Sequence, residues 1–314
     1  MLNDLKKAKL DFEQSCQIYD SSKLIFVGVD GFDVYNSSIP FFWNNKEYIF
    51  GRVERRDEWA RSWVRLFENT GQDNWTLVPD SMIYPLEDPY VSFIGNEITL
   101  GGTHVQMIAG DIGTFYGYFY RGSNIHDMLF FTSGPAGMKD IRLIDLGTKI
   151  GVFSRPRGEH IREKHGSEAI VGYTEISSLN ELDPEAIENA LIVNNLFGKD
   201  QWGGANQVYL LEDGMLGVIG HISYIDGDLQ VYMNMSFVLD RKTNNAGELK
   251  IIGTRMCYPD GPFKKPYLAD CVFTGGLVMR EDGKADLYSG VGDVETGRIT
   301  IDYPFEGHGR IISK

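Results

Sequence analysis

The sequence predicts an all-β fold, a five-bladed β-propeller with a short N-terminal helix. Three observations carry that prediction. A plan of polar entry, strand, tight turn and returning strand recurs five times. Its entries at Asp33, Asp88, Asp140, Asn206 and Asp270 stand roughly 50–65 residues apart, the period of a radial array of small sheets. Glycines number 36, and 16 Tyr and 18 Phe are present, a composition that favours strands and turns over helices. Hairpin turns stand where the plan needs them, at Gly95-Asn96, Glu212-Asp213-Gly214 and Glu281-Asp282-Gly283. Residues 1–314 read as one propeller domain, with 1–20 an N-terminal helix and 158–200 an irregular insertion between blades three and four.

Residues 3–19 carry a loose apolar stripe, Leu5, Leu10, Phe12 and Ile18, which predicts a helix against the outer rim. Lys23 to Val29 is a continuous apolar run, the candidate strand for closing the ring against Arg298 to Tyr303; closure by both termini removes open sheet edges. Blade one follows Asp33 and Asn36, with strands near Ile39–Trp43 and Glu47–Val53. Trp59, Trp63 and Trp75 then read as packing between blades. Blade two opens on Glu87-Asp88-Pro89 and runs on to the aromatic strand Thr114–Tyr120. Blade three holds Lys139-Asp140, Ile150–Ser154 and Arg155-Pro156-Arg157. In the stretch that follows, Asp183 ahead of Pro184 marks a short helix with an acidic cap. Blade four spans Asn206 to His221, and blade five runs from Asp270 to Asp293.

The first strand of each propeller blade lines the central channel, so residues at the entries converge on one mouth. Here they are Asp33, Asn36, Glu87, Asp88, Lys139, Asp140, Asn206 and Asp270. Asp and Asn suit strand-entry turns for local reasons, so no single one is diagnostic. Several acids in register at one polar mouth point to acid/base chemistry on a sugar. His221, where an apolar strand meets the entry face, reads equally as a core histidine or a ligand for substrate or phosphate.

Composition narrows the partners. The chain has 30 basic and 44 acidic residues, a net charge of −14. Such a surface repels phosphate backbones and anionic membranes, so neither nucleic acid nor membrane is expected. Three cysteines, Cys16, Cys257 and Cys271, give neither a disulfide framework nor a zinc motif, and read as structural thiols. The first residues are charged and lack the apolar core of a signal peptide, which suggests a cytoplasmic protein. No phosphate-cradling glycine loop leads into a helix, Gly-x-Ser-x-Gly is missing, and the six histidines show no metal-ligand pairing. Chemistry by carboxylates, helped by Arg and Lys, remains. No metal and no cofactor are called for.

The five-blade plan with Arg52-Val53-Glu54, Glu87-Asp88-Pro89, Lys139-Asp140, Arg155-Pro156 and the closing Tyr288-Ser289-Gly290-Val291-Gly292-Asp293 resembles glycoside hydrolase family 130, as a distant branch. That family holds mannoside phosphorylases and β-mannosidases among the five-bladed propeller glycosidases. The resemblance implies cleavage of a glycosidic bond in a short, mannose-containing oligosaccharide, by hydrolysis or by phosphorolysis with inorganic phosphate as co-substrate. It implies that Asp88 protonates the glycosidic oxygen, in phosphorylases through a sugar hydroxyl. Asp33 and Asp140 are further catalytic candidates. Asn36, Arg52, Glu87, Lys139, Arg155, Asn206, His221, Asp270 and Asp293 are candidates for binding substrate, with Arg52, Lys139, Arg155 and His221 nominated for phosphate. Tyr90 and Ser37 depart from the family pattern, which has Arg and Pro there. A non-catalytic sugar-binding propeller is the alternative reading, and homo-oligomer formation is left open.

Overall fold

The computed structural model describes residues 2–313, with side chains from Asp4 onward; Met1 and Lys314 lie outside the described residues. Five largely antiparallel sheets surround a central channel. Their innermost strands are Asp33–Tyr35 with Phe41–Trp43, Glu87–Ile94, Arg142–Asp145, Trp202–Leu210 and Val272–Met279. Each blade buries an apolar face against the next, as a half-buried sheet must. Among the described residues the core accordingly divides into five clusters, one per interface. Phe50 meets Leu100 between blades one and two. Phe119 and Val152 share the next interface, Phe153 and Val218 the third, Ile219 and Leu287 the fourth, and Ile49 and Tyr288 the last.

The ring closes three residues earlier than the apolar run suggested. Asp20–Lys23 is the outer strand of blade five, paired from Asp20 opposite Thr300 to Lys23 opposite Gly297. Ile25–Val27 instead joins blade one, parallel to Asn74–Leu77. One chain segment therefore stitches the last blade to the first. Polarity fits the choice: Arg298 reaches Asp73 at 3.0 Å and Asp286 at 3.3 Å, and the polar closing strand adds Asp20 at 2.9 Å.

The helix spans Leu2–Ser15, and Asp20 is already in a strand, so the helix stops short of residue 19. Leu5 enters the core between blades three and four while Leu10 is exposed. Residues 158–200 are not an insertion between blades. Gly172–Ile176 and Leu191–Ile192 are the two outer strands of blade three, and only Glu159–His165, Leu179–Glu181 and Pro184–Glu188 are helical additions. The charged residues flanking the short alternating run hid it. Asp183 does cap its helix, accepting from Ala186 N–H at 2.8 Å. Among the described residues no helix is long and apolar enough to cross a membrane.

Candidate functional site

Two cavities mark the two ends of the channel. The larger, about 760 Å³, is walled by Phe41, Val91, Ile144, Val208 and Leu277, with the C-terminal residues Ile311–Ser313 across it; it has the volume and little chemistry. The smaller, about 260 Å³, lies at the strand-entry end and is lined by Asn36, Arg52, Glu87, Asp88, Lys139, Arg155, His221 and Asp293. It holds the charged side chains, so the candidate site is this smaller cavity.

Backbone geometry gathers them there. Asn36, Asp88, Asp140 and Asp293 have φ of 47°, 50°, 57° and 55°. This is the left-handed region, which Asn and Asp enter more readily than other non-glycine residues. In blade two the register slips between Glu87 and Tyr90, a bulge that re-aims side chains at a strand end. Gly290 makes room for Asn36: a Cβ there would stand 1.7 Å from Asn36 Oδ1.

One wall is acidic and organised by Arg52. This buried guanidinium donates to Asp88 Oδ1 at 3.0 Å, Glu87 Oε1 at 2.8 Å, Glu54 Oε2 at 3.3 Å and Ser62 Oγ at 2.7 Å, and its plane lies 4.6 Å from the centre of the Tyr35 ring. Beneath it Glu54 accepts from Lys264 and from the Tyr35 hydroxyl. Asn36 Nδ2 donates to Asp88 Oδ1 at 2.9 Å, while Asp88 Oδ2 takes no hydrogen bond among the described residues. Burial pushes the Glu87 carboxyl up against the opposing pull of Arg52, with the Asp88 charge adding to the rise. Asp293 is likewise raised by burial, with Arg52 working against it.

The other wall is basic. Arg155 donates to Asp140 Oδ2 at 2.7 Å and to the Gly203 carbonyl at 2.7 Å. Lys139 makes no hydrogen bond or ion pair among the described residues. His221 is fully buried; its Nδ1 meets Asn206 Oδ1 at 2.7 Å and its Nε2 has no partner. With Asn206 Oδ1 accepting, Nδ1 carries the proton and Nε2 keeps a lone pair without a hydrogen-bond partner among the described residues. Burial, then the Arg155 charge, holds the imidazole well below its usual pKa, so it is neutral at pH 7.

Not every residue expected at the mouth reaches it. Asp140 is sealed beneath the cavity between Arg155 and Arg142. Burial pushes its carboxyl up, but Arg155, followed by Arg142, outweighs that and holds it far below the carboxylate range. Among the described residues Asp140 contacts these two arginines and does not line the cavity. Asp33 pairs with Arg56 on the rim. Asp270 holds Lys9 of the N-terminal helix at 3.1 Å. Asn206 acts through His221. Tyr90 is buried, its ring under the Arg142 guanidinium at 4.6 Å and over Gly101, where a Cβ would come within 2.0 Å; this departure from the family pattern packs in a blade interface and does not line the cavity.

Other residues of the site were not anticipated. Lys264 sits in a loop whose sequence carries no signal, and Tyr35 and Tyr232 read as ordinary aromatics. Glu54 has no signal in the sequence beyond its place in Arg52-Val53-Glu54. Trp75 is core, as expected, whereas Trp59 lines the cavity.

The model of a family described as "Protein of unknown function (DUF1861)" matches residues 10–307. No curated protein matches the chain. Among solved structures, a mannose phosphorylase from Leishmania mexicana, determined in complex with a phosphate ion, is 50% identical, covering 99% of this chain and 97% of its own, with a TM-score of 0.93. A GDP-Man-dependent mannosyltransferase from the same organism is 46% identical, covering 99% of this chain and 98% of its own, with a TM-score of 0.91. A glycosyl hydrolase from Bacteroides ovatus is 12% identical over 90% of this chain and 87% of its own, with a TM-score of 0.60, a likeness of fold alone.

Proposed function

The chain belongs to the DUF1861 family, and from that premise we propose that it is a carbohydrate-active enzyme that cleaves a mannosidic bond in a short oligosaccharide by phosphorolysis. The observation that carries this reading is the pairing of two walls in one cavity. Glu87 and Asp88 of blade two and Asp293 of blade five line it, and with them stands a cationic wall whose Lys139 ammonium and His221 Nε2 lack protein partners among the described residues. An unpaired cation beside an orphaned, neutral imidazole suits a hydrogen phosphate dianion. Lys139 and Arg155 answer its charge, and its single hydroxyl can donate to Nε2. Resemblance to glycoside hydrolase family 130 and 50% identity to a mannose phosphorylase solved with phosphate support the same reading.

In the proposed reaction a phosphate oxygen bonds to the anomeric carbon from the cationic side. The bond from that carbon to the bridging oxygen breaks on the acidic side, and the departing oxygen takes a proton supplied by Asp88, directly or through a sugar hydroxyl. Attack from the opposite face inverts the anomeric centre. Glu87 and Asp293, both raised by burial, are suited to hold sugar hydroxyls. Phosphate serves as nucleophile, so no carboxylate is required as a base.

Product analysis by NMR tests this. With short β-mannosides the expected product is mannose 1-phosphate, formed only when inorganic phosphate is present. Free mannose at equal rates with and without phosphate would make the enzyme a hydrolase. No cleavage of any mannoside, together with sugar binding, would favour a non-catalytic propeller. Lys139→Met gives a second check: the phosphate KM is expected to rise about tenfold or more, in line with losing one charge-assisted contact. The melting temperature should be nearly unchanged, because Lys139 makes no ion pair among the described residues. Initial rates against phosphate concentration decide it.

A further inference from the structure

Above its charged walls the cavity has an apolar rim, and one residue there is placed with unusual care. Trp59 lines the cavity and is 43% exposed, although an indole gains more than most side chains from being covered. The segment presenting it is anchored. The Arg61 N–H donates to Glu54 Oε1 at 2.8 Å, the same buried carboxylate that takes Lys264, Tyr35 and Arg52. Lys264 Nζ in turn stands 5.8 Å from the centre of the indole ring system. Ala60, the next residue, is buried with a φ of 58°, a left-handed conformation unfavourable for a non-glycine residue that persists where surrounding structure enforces it. The ion-pair network that sets Arg52 against Asp88 therefore also fixes Trp59.

We propose that Trp59 is the stacking platform for the sugar on the leaving-group side of the scissile bond. This rests on the phosphorolysis reading, which orients the substrate. Phosphate approaches from the wall of Lys139, Arg155 and His221, on blades three and four, so the departing sugar lies towards blades one and two, beside Asp88. Trp59 belongs to blade one. A pyranose presents an apolar C–H face and a hydroxyl edge. The cavity floor around Asn36, Glu87 and Asp88 is polar and suits hydroxyls, whereas the exposed indole at the rim suits the C–H face of a ring that projects outwards. Ile112 and Phe115 of the blade-two hairpin line the same cavity and extend the apolar surface.

The test runs the reaction towards synthesis, with mannose 1-phosphate as donor and mannose or β-mannobiose as acceptor, on wild type, Trp59→Phe and Trp59→Ala. Trp59→Ala should raise the acceptor KM about tenfold while the KM for mannose 1-phosphate and kcat at saturating acceptor stay within about twofold; Trp59→Phe should fall between. An unchanged acceptor KM, or an equal rise in both KM values, overturns the assignment. If wild type does not turn over mannose 1-phosphate, the phosphorolysis reading fails separately, and calorimetric titration with mannose and β-mannobiose decides the platform. Tighter binding of the disaccharide by wild type that disappears in Trp59→Ala supports it. Equal binding by the two proteins, or no binding, overturns it.

Discussion

Asp88→Asn is expected to lower kcat/KM for phosphorolysis by about 10²–10⁴-fold, the usual contribution of a positioned general acid, while leaving sugar affinity and melting temperature nearly unchanged. The substitution is isosteric. The amide oxygen still accepts from Asn36 Nδ2 and Arg52, which hold Oδ1 at 2.9 and 3.0 Å. Arg52 keeps Glu87 and Glu54 as charged partners, so its guanidinium is not left bare. What is lost is at the second oxygen, the one without a protein hydrogen bond, where an amide cannot deliver an acidic proton. Steady-state rates of mannose 1-phosphate release, with a sugar titration and a thermal melt on the same preparations, give the three readouts. A variant within tenfold of wild type would remove Asp88 from the acid role. Glu87→Gln and Asp293→Asn would then be compared, since both carboxyls line the same cavity and burial raises both above their ordinary values.

The repeat was legible because a propeller blade is a local object. Its hairpins, glycines and alternating strands lie within about fifty residues of one another, and the period survives even where individual strands are short. Closure and the outer strands of blade three were harder to place. Asp20–Lys23 is polar and Leu191–Ile192 is only two residues long; they are strands because a neighbouring edge accepts them. The site was legible in part for a reason that also misleads. Asn and Asp recur at the entries because the backbone turns left-handed there, and only some of these turns face the cavity. Asp88 and Asp293 do, whereas Asp140, in the same conformation, is sealed beneath it. Which of two acids in register meets a substrate depends on where the arginines lie, and Arg142 and Arg155 come together on Asp140 only in three dimensions. Lys264 lies 210 residues from Glu54 in the chain, a pairing no local pattern announces.

Asp140→Asn supplies the complementary result: a large loss of stability, expected at about 3–5 kcal/mol, from removing one partner of a buried ion pair. Asn retains the tolerance for the left-handed backbone at φ 57°, so the variant isolates the charge. Without it Arg155 and Arg142, both buried, face each other with no carboxylate between them. Arg155 also donates to Gly203, and Arg142 to the Asn206 carbonyl at 2.8 Å, so the disturbance spreads from the entry of blade three to the inner strand of blade four. For a domain of this size the melting temperature should fall by roughly 10 °C. The pH dependence has a definite sign. The folded-state pKa of Asp140 lies well below the ordinary value, so its contribution is fully present above the unfolded pKa of about 3.9 and fades as pH falls towards the folded value. Wild type should therefore lose stability on acidification below about pH 4 more steeply than Asp140→Asn. If Asp140→Asn instead abolished turnover with its melting temperature intact, Asp140 would return to the catalytic set, and the separation between a carboxylate that reacts and one that holds the reacting wall in place would fail.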